Sequence, residues 1–91
     1  MTKIVRRAYA GTIESSDVYV ELEPCDCGID IQIESVVMKQ FGDAIRSVVF
    51  EMFEQLEVES AKVKIVDRGA LDCVIRARVE AAIKRGEAEQ I

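Results

Sequence analysis

The sequence predicts an α+β fold: a mainly antiparallel sheet of about four strands with two helices packed on one face, in the order βββαβα. Three observations carry this reading. Residues 18–23, 29–34 and 60–67 alternate apolar and polar side chains, the period-two mark of a strand with one wet face. Residues 37–56 and 71–85 instead repeat apolar residues at steps of three and four, the mark of an amphipathic helix. Turn-prone residues separate these segments, and 91 residues suffice for one domain, 1–91, with a modest core.

Taken in order, residues 1–7 carry no clear signal. Ala8 to Ile13 can form a first strand, with Thr12 and Ile13 favouring extended backbone. Glu14-Ser15-Ser16-Asp17 then fits a four-residue hairpin connection, with both serines at an exposed tip. Val18 to Glu23 is the returning strand, and Pro24 ends it because proline cannot donate to a ladder. Pro24 to Gly28 is a loop by composition. Ile29-Asp30-Ile31-Gln32-Ile33-Glu34 is the cleanest alternation in the chain. The first helix follows, with Phe41, Ile45, Val48, Met52 and Leu56 in its stripe and Gly42 read as a site of tight packing. Ser60 to Asp67 is rich in β-branched residues and reads as the fourth strand, closed by a turn at Asp67-Arg68-Gly69.

Leu71 to Arg85 places Leu71, Val74, Ile75, Val79, Ala82 and Ile83 at helical steps. Asp72 near its start and Lys84 and Arg85 near its end suit the helix dipole, and Gly86 is a natural stop. Cys73, Ile75, Ala77 and Val79 also alternate, so a strand over 71–79 competes with the helix. Glu87 to Ile91 reads as a frayed tail.

A net charge of −5 argues against nucleic acid as a partner, because phosphate backbones need a basic patch. Arg76, Arg78, Lys84 and Arg85 are interleaved with acids and apolar residues and read as solvated surface. No apolar run reaches membrane-spanning length, and none follows Lys3, Arg6 and Arg7 as a secretory leader would require. Cys25, Cys27 and Cys73 make an odd set without framework spacing, which suggests reduced thiols in a cytoplasmic protein.

The chain has no histidine, so the commonest general base and the commonest metal ligand are both missing. Its three cysteines fall short of the four ligands that structural zinc prefers. No glycine-rich phosphate loop is present. Neither a catalytic set nor a metal site is therefore expected. What stands out is the hydroxyl pair at the hairpin tip, within reach of a modifying enzyme. Read from the residues alone, most such Ser-Ser-Asp tips are only turns.

Ala10-Gly11-Thr12-Ile13-Glu14-Ser15-(Ser16)-Asp17-Val18 resembles the N-terminal motif of the citrate lyase acyl carrier protein family, the gamma subunit. Lys39 to Arg46 and the block from Gly69 through Cys73 to Ala81 are similar to two further stretches of that family, in the same order and at similar spacing. The likeness spans nearly the whole chain. It departs at Ser16, where the family commonly has glycine.

The resemblance implies a carrier. It implies that Ser15, the residue directly after Glu14, is joined by a phosphodiester to 2'-(5''-phosphoribosyl)-3'-dephospho-coenzyme A, with Ser16 only bonding backbone in the turn. The arm would hold acetyl and citryl as thioesters while citrate is cleaved to oxaloacetate and acetate. The partners implied are the alpha subunit (acyl transferase), the beta subunit (citryl lyase) and a prosthetic-group transferase. A carrier of malonate decarboxylase or citramalate lyase, and an unmodified protein-binding domain, are the alternatives.

Overall fold

The computed structural model describes residues 3–26, 28–35 and 38–87, with residues 38–42 described by their backbone alone. The expected packing of Phe41 and Gly42, the start of the first helix at Val37, the place of Cys27 and the tail 88–91 lie outside that description. The elements are β1 (Ala8–Gly11), β2 (Val18–Glu23), β3 (Ile29–Ser35), α1 (Met38–Gln55), β4 (Ala61–Asp67) and α2 (Asp72–Gly86). The order βββαβα is the one expected.

The four strands lie in the order β1-β2-β4-β3. β1 and β2, and β2 and β4, pair antiparallel; β3 pairs parallel to β4. The sheet is thus mixed, because the chain leaves β3 through α1 and re-enters the sheet beside it. A parallel neighbour requires such a crossover, whereas an antiparallel one needs only a turn. The strand alternation sorts residues into rows. Ala8, Leu22, Val63 and Ile31 are register neighbours on one face, as are Ala10, Val20, Ile65 and Ile33. Tyr9, Glu21, Lys64 and Gln32 form a row on the other.

The inner face carries the core. Val18, Val20, Leu22, Val63 and Ile65 are fully buried under Val49 and Phe53 of α1 and Val79, Ala82 and Ile83 of α2. α2 packs on β1 and β2, and α1 packs on α2 and β3. The outer face stays open, with Tyr9 and Tyr19 stacked at 6.1 Å and the Arg7 guanidinium 5.5 Å from the Tyr9 ring. Arg7 also pairs with Glu21, and with Glu23 at 3.4 Å. Among the described residues no helix is long and apolar enough to cross a membrane.

Residues 72–86 are helix, and burial explains why the rival strand fails. Ile75, Val79, Ala82 and Ile83 face the core, while Cys73 and Ala77, which the strand would bury with them, are exposed. Leu71 leaves the expected stripe: it precedes the helix and is exposed. Gly86 closes α2 for a reason other than the expected stop. It is the buried last residue, and an added Cβ would sit 3.1 Å from the Arg6 carbonyl oxygen and 3.3 Å from the Ala8 Cβ. Its own carbonyl accepts from the Val5 N–H at 2.9 Å, and Ile4 bridges to Glu87. The N-terminal segment, silent in the sequence, is therefore pinned along the end of α2.

Candidate functional site

The hairpin between β1 and β2 is longer than four residues. β1 stops at Gly11, so the connection runs over six residues, 12–17, and Thr12 and Ile13 belong to it and not to the strand. The cause lies at Gly11, whose φ of 86° turns the chain out of the sheet. An added Cβ there would fall 1.8 Å from the Val18 carbonyl oxygen, so only glycine fits.

Within the loop, Thr12 acts in both directions. Its hydroxyl donates to Asp17 Oδ2 at 2.7 Å and accepts from the Glu14 N–H at 3.2 Å. The Asp17 N–H donates to the Glu14 carbonyl at 3.1 Å, which closes the tight turn Glu14-Ser15-Ser16-Asp17. Ser16 has a φ of 65°, a left-handed value, and positive φ at the third position alone is the pattern of a type II turn. Glycine suits that position best, and serine there is left with an unfavourable backbone.

Asp17 anchors the loop to the body of the protein. Its Oδ1 accepts from the Val18 N–H at 2.7 Å. Arg78, in the second turn of α2, donates from Nε to Oδ1 at 3.2 Å and from Nη2 to Oδ2 at 3.4 Å. These bonds favour the ionised form. The Thr12 hydroxyl first and then the Val18 N–H lower the Asp17 carboxyl from 3.8 to about 2; burial opposes them, and Arg78 adds lesser contributions in the same direction as the hydrogen bonds.

The far side of the turn is held by the loop after β4. The Ser16 N–H donates to the Arg68 carbonyl at 2.9 Å, and the Arg68 N–H donates to the Asp17 carbonyl at 2.9 Å. These two bonds extend the β2–β4 ladder one step beyond Val18 and Asp67. Asp67 itself is buried and holds the loop's other end, accepting from Ser35 Oγ at 2.8 Å and from the Ala70 N–H at 3.0 Å.

Ser15 therefore stands at the crest of a braced turn. It is exposed, and its hydroxyl has no hydrogen-bond partner among the described residues. The Ser16 hydroxyl is likewise unbonded, so its part in the turn is played by its backbone, not by its side chain as a turn serine would ordinarily do. Arg78 was legible only as surface charge; the structure makes it a brace. Arg85 and Arg76 also have partners, the Tyr9 carbonyl at 2.7 Å and the Glu51 carboxylate at 3.0 Å. Among the described residues no group of three or more histidine, cysteine or carboxylate side chains could hold a metal ion.

A family model described as malonate decarboxylase delta subunit (MdcD), an acyl carrier protein, matches residues 5–86. The citrate lyase acyl carrier protein of Enterobacter sp. (strain 638) is 52% identical over 88 residues, covering 97% of this chain and 91% of that one. That of Escherichia fergusonii is 54% identical over 89 residues, with the same coverage. The chain belongs to the citrate lyase acyl carrier protein family. Its fold is also that of a chain in a solved Pseudomonas malonate decarboxylase hetero-tetramer in complex with malonate, with a TM-score of 0.71, 22% identity and coverage of 91% and 90% of the two chains. In this family member the blocks Lys39–Arg46 and Gly69–Ala81 fall in the first half of α1 and across the start of α2.

Proposed function

We propose that this protein is the acyl carrier subunit of citrate lyase and that Ser15 is its attachment residue. The observation that carries the reading is the Ser15 hydroxyl: exposed, unbonded and presented by a turn whose neighbours are fastened on both sides. A modifying enzyme must reach the hydroxyl without unfolding the carrier, and the fastened turn offers it ready-placed. The surroundings suit a group linked through a phosphodiester. Of the carboxylates flanking the two serines, Asp17 is already matched by Arg78, so added phosphate meets less repulsion from it, and Glu14 is exposed to screening solvent.

Phosphoribosyl-dephospho-coenzyme A, when attached, supplies a thiol that carries acyl groups as thioesters. This chain's own residues do the rest of what it contributes. Gly11 and Ser16 shape the turn, Thr12 and Asp17 stiffen it, and Arg78 ties it to α2. The chain offers no histidine and acts as a non-catalytic carrier for larger alpha and beta subunits. The multi-subunit enzyme in which its fold recurs supports such an assembly. A cytoplasmic setting agrees with Cys73 as an exposed free thiol. The relatives at about half identity favour citrate lyase over malonate decarboxylase as the parent enzyme.

The test is intact mass and peptide mapping after incubation with the prosthetic-group transferase and its coenzyme precursor. One arm should appear on the peptide containing Ser15, and Ser15→Ala should stay unloaded while keeping the wild-type circular dichroism spectrum. Wild-type protein that gains no mass would return the stretch to an ordinary turn.

A further inference from the structure

Six of the seven arginines have an acceptor in the structure: Arg6, Arg7, Arg46, Arg76, Arg78 and Arg85 each donate to a carbonyl or a carboxylate. Arg68 is the exception. Its side chain is exposed, and among the described residues its guanidinium donates to nothing. Yet its backbone is tied to the serine turn by two hydrogen bonds. It gives its N–H to Asp17 and takes the N–H of Ser16, both at 2.9 Å. A cation is thus carried on the backbone that borders the serine turn, next to Ser16 and Asp17, by bonds that do not involve its side chain, which leaves its donors available.

The charges around it sharpen the point. Asp17 faces the same turn but is already occupied by Arg78, Thr12 and the Val18 N–H. Glu14, on the turn itself, is exposed and forms no ion pair with Arg68. A guanidinium presents a planar fork of donors that matches phosphate oxygens, and it stays charged at every relevant pH.

We propose that Arg68 is a phosphate-binding residue: its guanidinium takes the phosphodiester that joins the arm to Ser15 and so fixes the direction in which the arm leaves the turn. This rests on the attachment reading above. No bond is made or broken by Arg68. It positions the arm and does not catalyse its transfer.

The test uses wild-type protein in apo and fully loaded forms, each verified by intact mass. The Arg68 Nε–Hε resonance, assigned by its disappearance in Arg68→Lys, should shift on loading. That shift should be lost in about 1 M salt, where screening acts over only about 3 Å. The Arg78 Nε–Hε resonance, already engaged by Asp17, should stay in place. In loaded Arg68→Gln the phosphodiester phosphorus resonance should move towards its position in loaded wild-type protein unfolded in urea. An Arg68 resonance that does not move in protein carrying one arm on Ser15 overturns the proposal and leaves the attachment reading intact. Absence of added mass on Ser15 is a separate result, and it removes the attachment reading first.

Discussion

Arg78 closes a fork on Asp17, Nε to Oδ1 at 3.2 Å and Nη2 to Oδ2 at 3.4 Å, across 61 residues of chain. The pair joins the loop that presents Ser15 to the helix that roofs the core. α2 is therefore coupled to the serine turn through a side chain and not only through the sheet. Asp17 is mostly shielded, with its side chain 16% exposed, so the contact is less screened than an ordinary surface pair.

Acid should loosen this joint in a defined window. The folded-state pKa of Asp17 is lowered, from 3.8 to about 2, so its contribution is fully present above about pH 4. It is lost progressively as pH falls towards 2, because the unfolded chain then binds the proton more readily. Asp17→Asn should flatten that part of the stability profile, followed by urea unfolding between about pH 5 and pH 2. At neutral pH the same substitution should cost about 2 kcal/mol, the scale of a hydrogen bond to a charged group. An Asp17→Asn protein whose stability falls as steeply as wild type below pH 4 would show that other carboxylates carry the acid sensitivity.

Gly11 admits no side chain. Its Cβ would lie 1.8 Å from the Val18 oxygen, in backbone that is itself paired in the sheet and cannot move aside. The φ of 86° adds a cost of about 1–2 kcal/mol for any L-residue. Gly11→Ala should lose at least about 3 kcal/mol in chemical denaturation, among the larger effects of a single substitution. A wild-type unfolding midpoint for this variant would mean that the hairpin can be rebuilt without its first turn.

The strands were legible wherever one face is wet. In β2, and in β3 as far as Glu34, each inward residue is an aliphatic and each outward one is polar or amphipathic, so period two survives translation into structure; Ser35, inward at the end of β3, instead bonds the buried Asp67. Pairing was not legible in the same way, because alternation is identical for parallel and antiparallel neighbours; only the crossover through α1 distinguishes β3. The serine turn could be located from Gly11, Ser15 and Asp17, which are local. Its braces could not, since Arg78 and Arg68 reach it from 61 and 52 residues away and look in sequence like any other surface cation. Likewise, nothing in Ile4 and Val5 announces that they lie against Gly86, whose missing side chain makes room for them.

Ser16 offers a test that separates shape from chemistry at the site. It holds a φ of 65° with no hydrogen bond from its hydroxyl among the described residues, so the side chain adds strain without a compensating contact. Left-handed backbone costs an L-residue about 1–2 kcal/mol, part of which glycine returns through its greater freedom when unfolded. Ser16→Gly should therefore raise stability by about 0.5–1 kcal/mol, read as a higher urea midpoint with unchanged slope. It also deletes the second hydroxyl. One arm should still be loaded per chain, on the peptide containing Ser15, at a rate no lower than wild type, because the turn that presents Ser15 is preserved. A stabilised Ser16→Gly protein that gains no mass, beside a Ser15→Ala protein that does, would move the attachment residue to Ser16 while leaving the turn geometry as described.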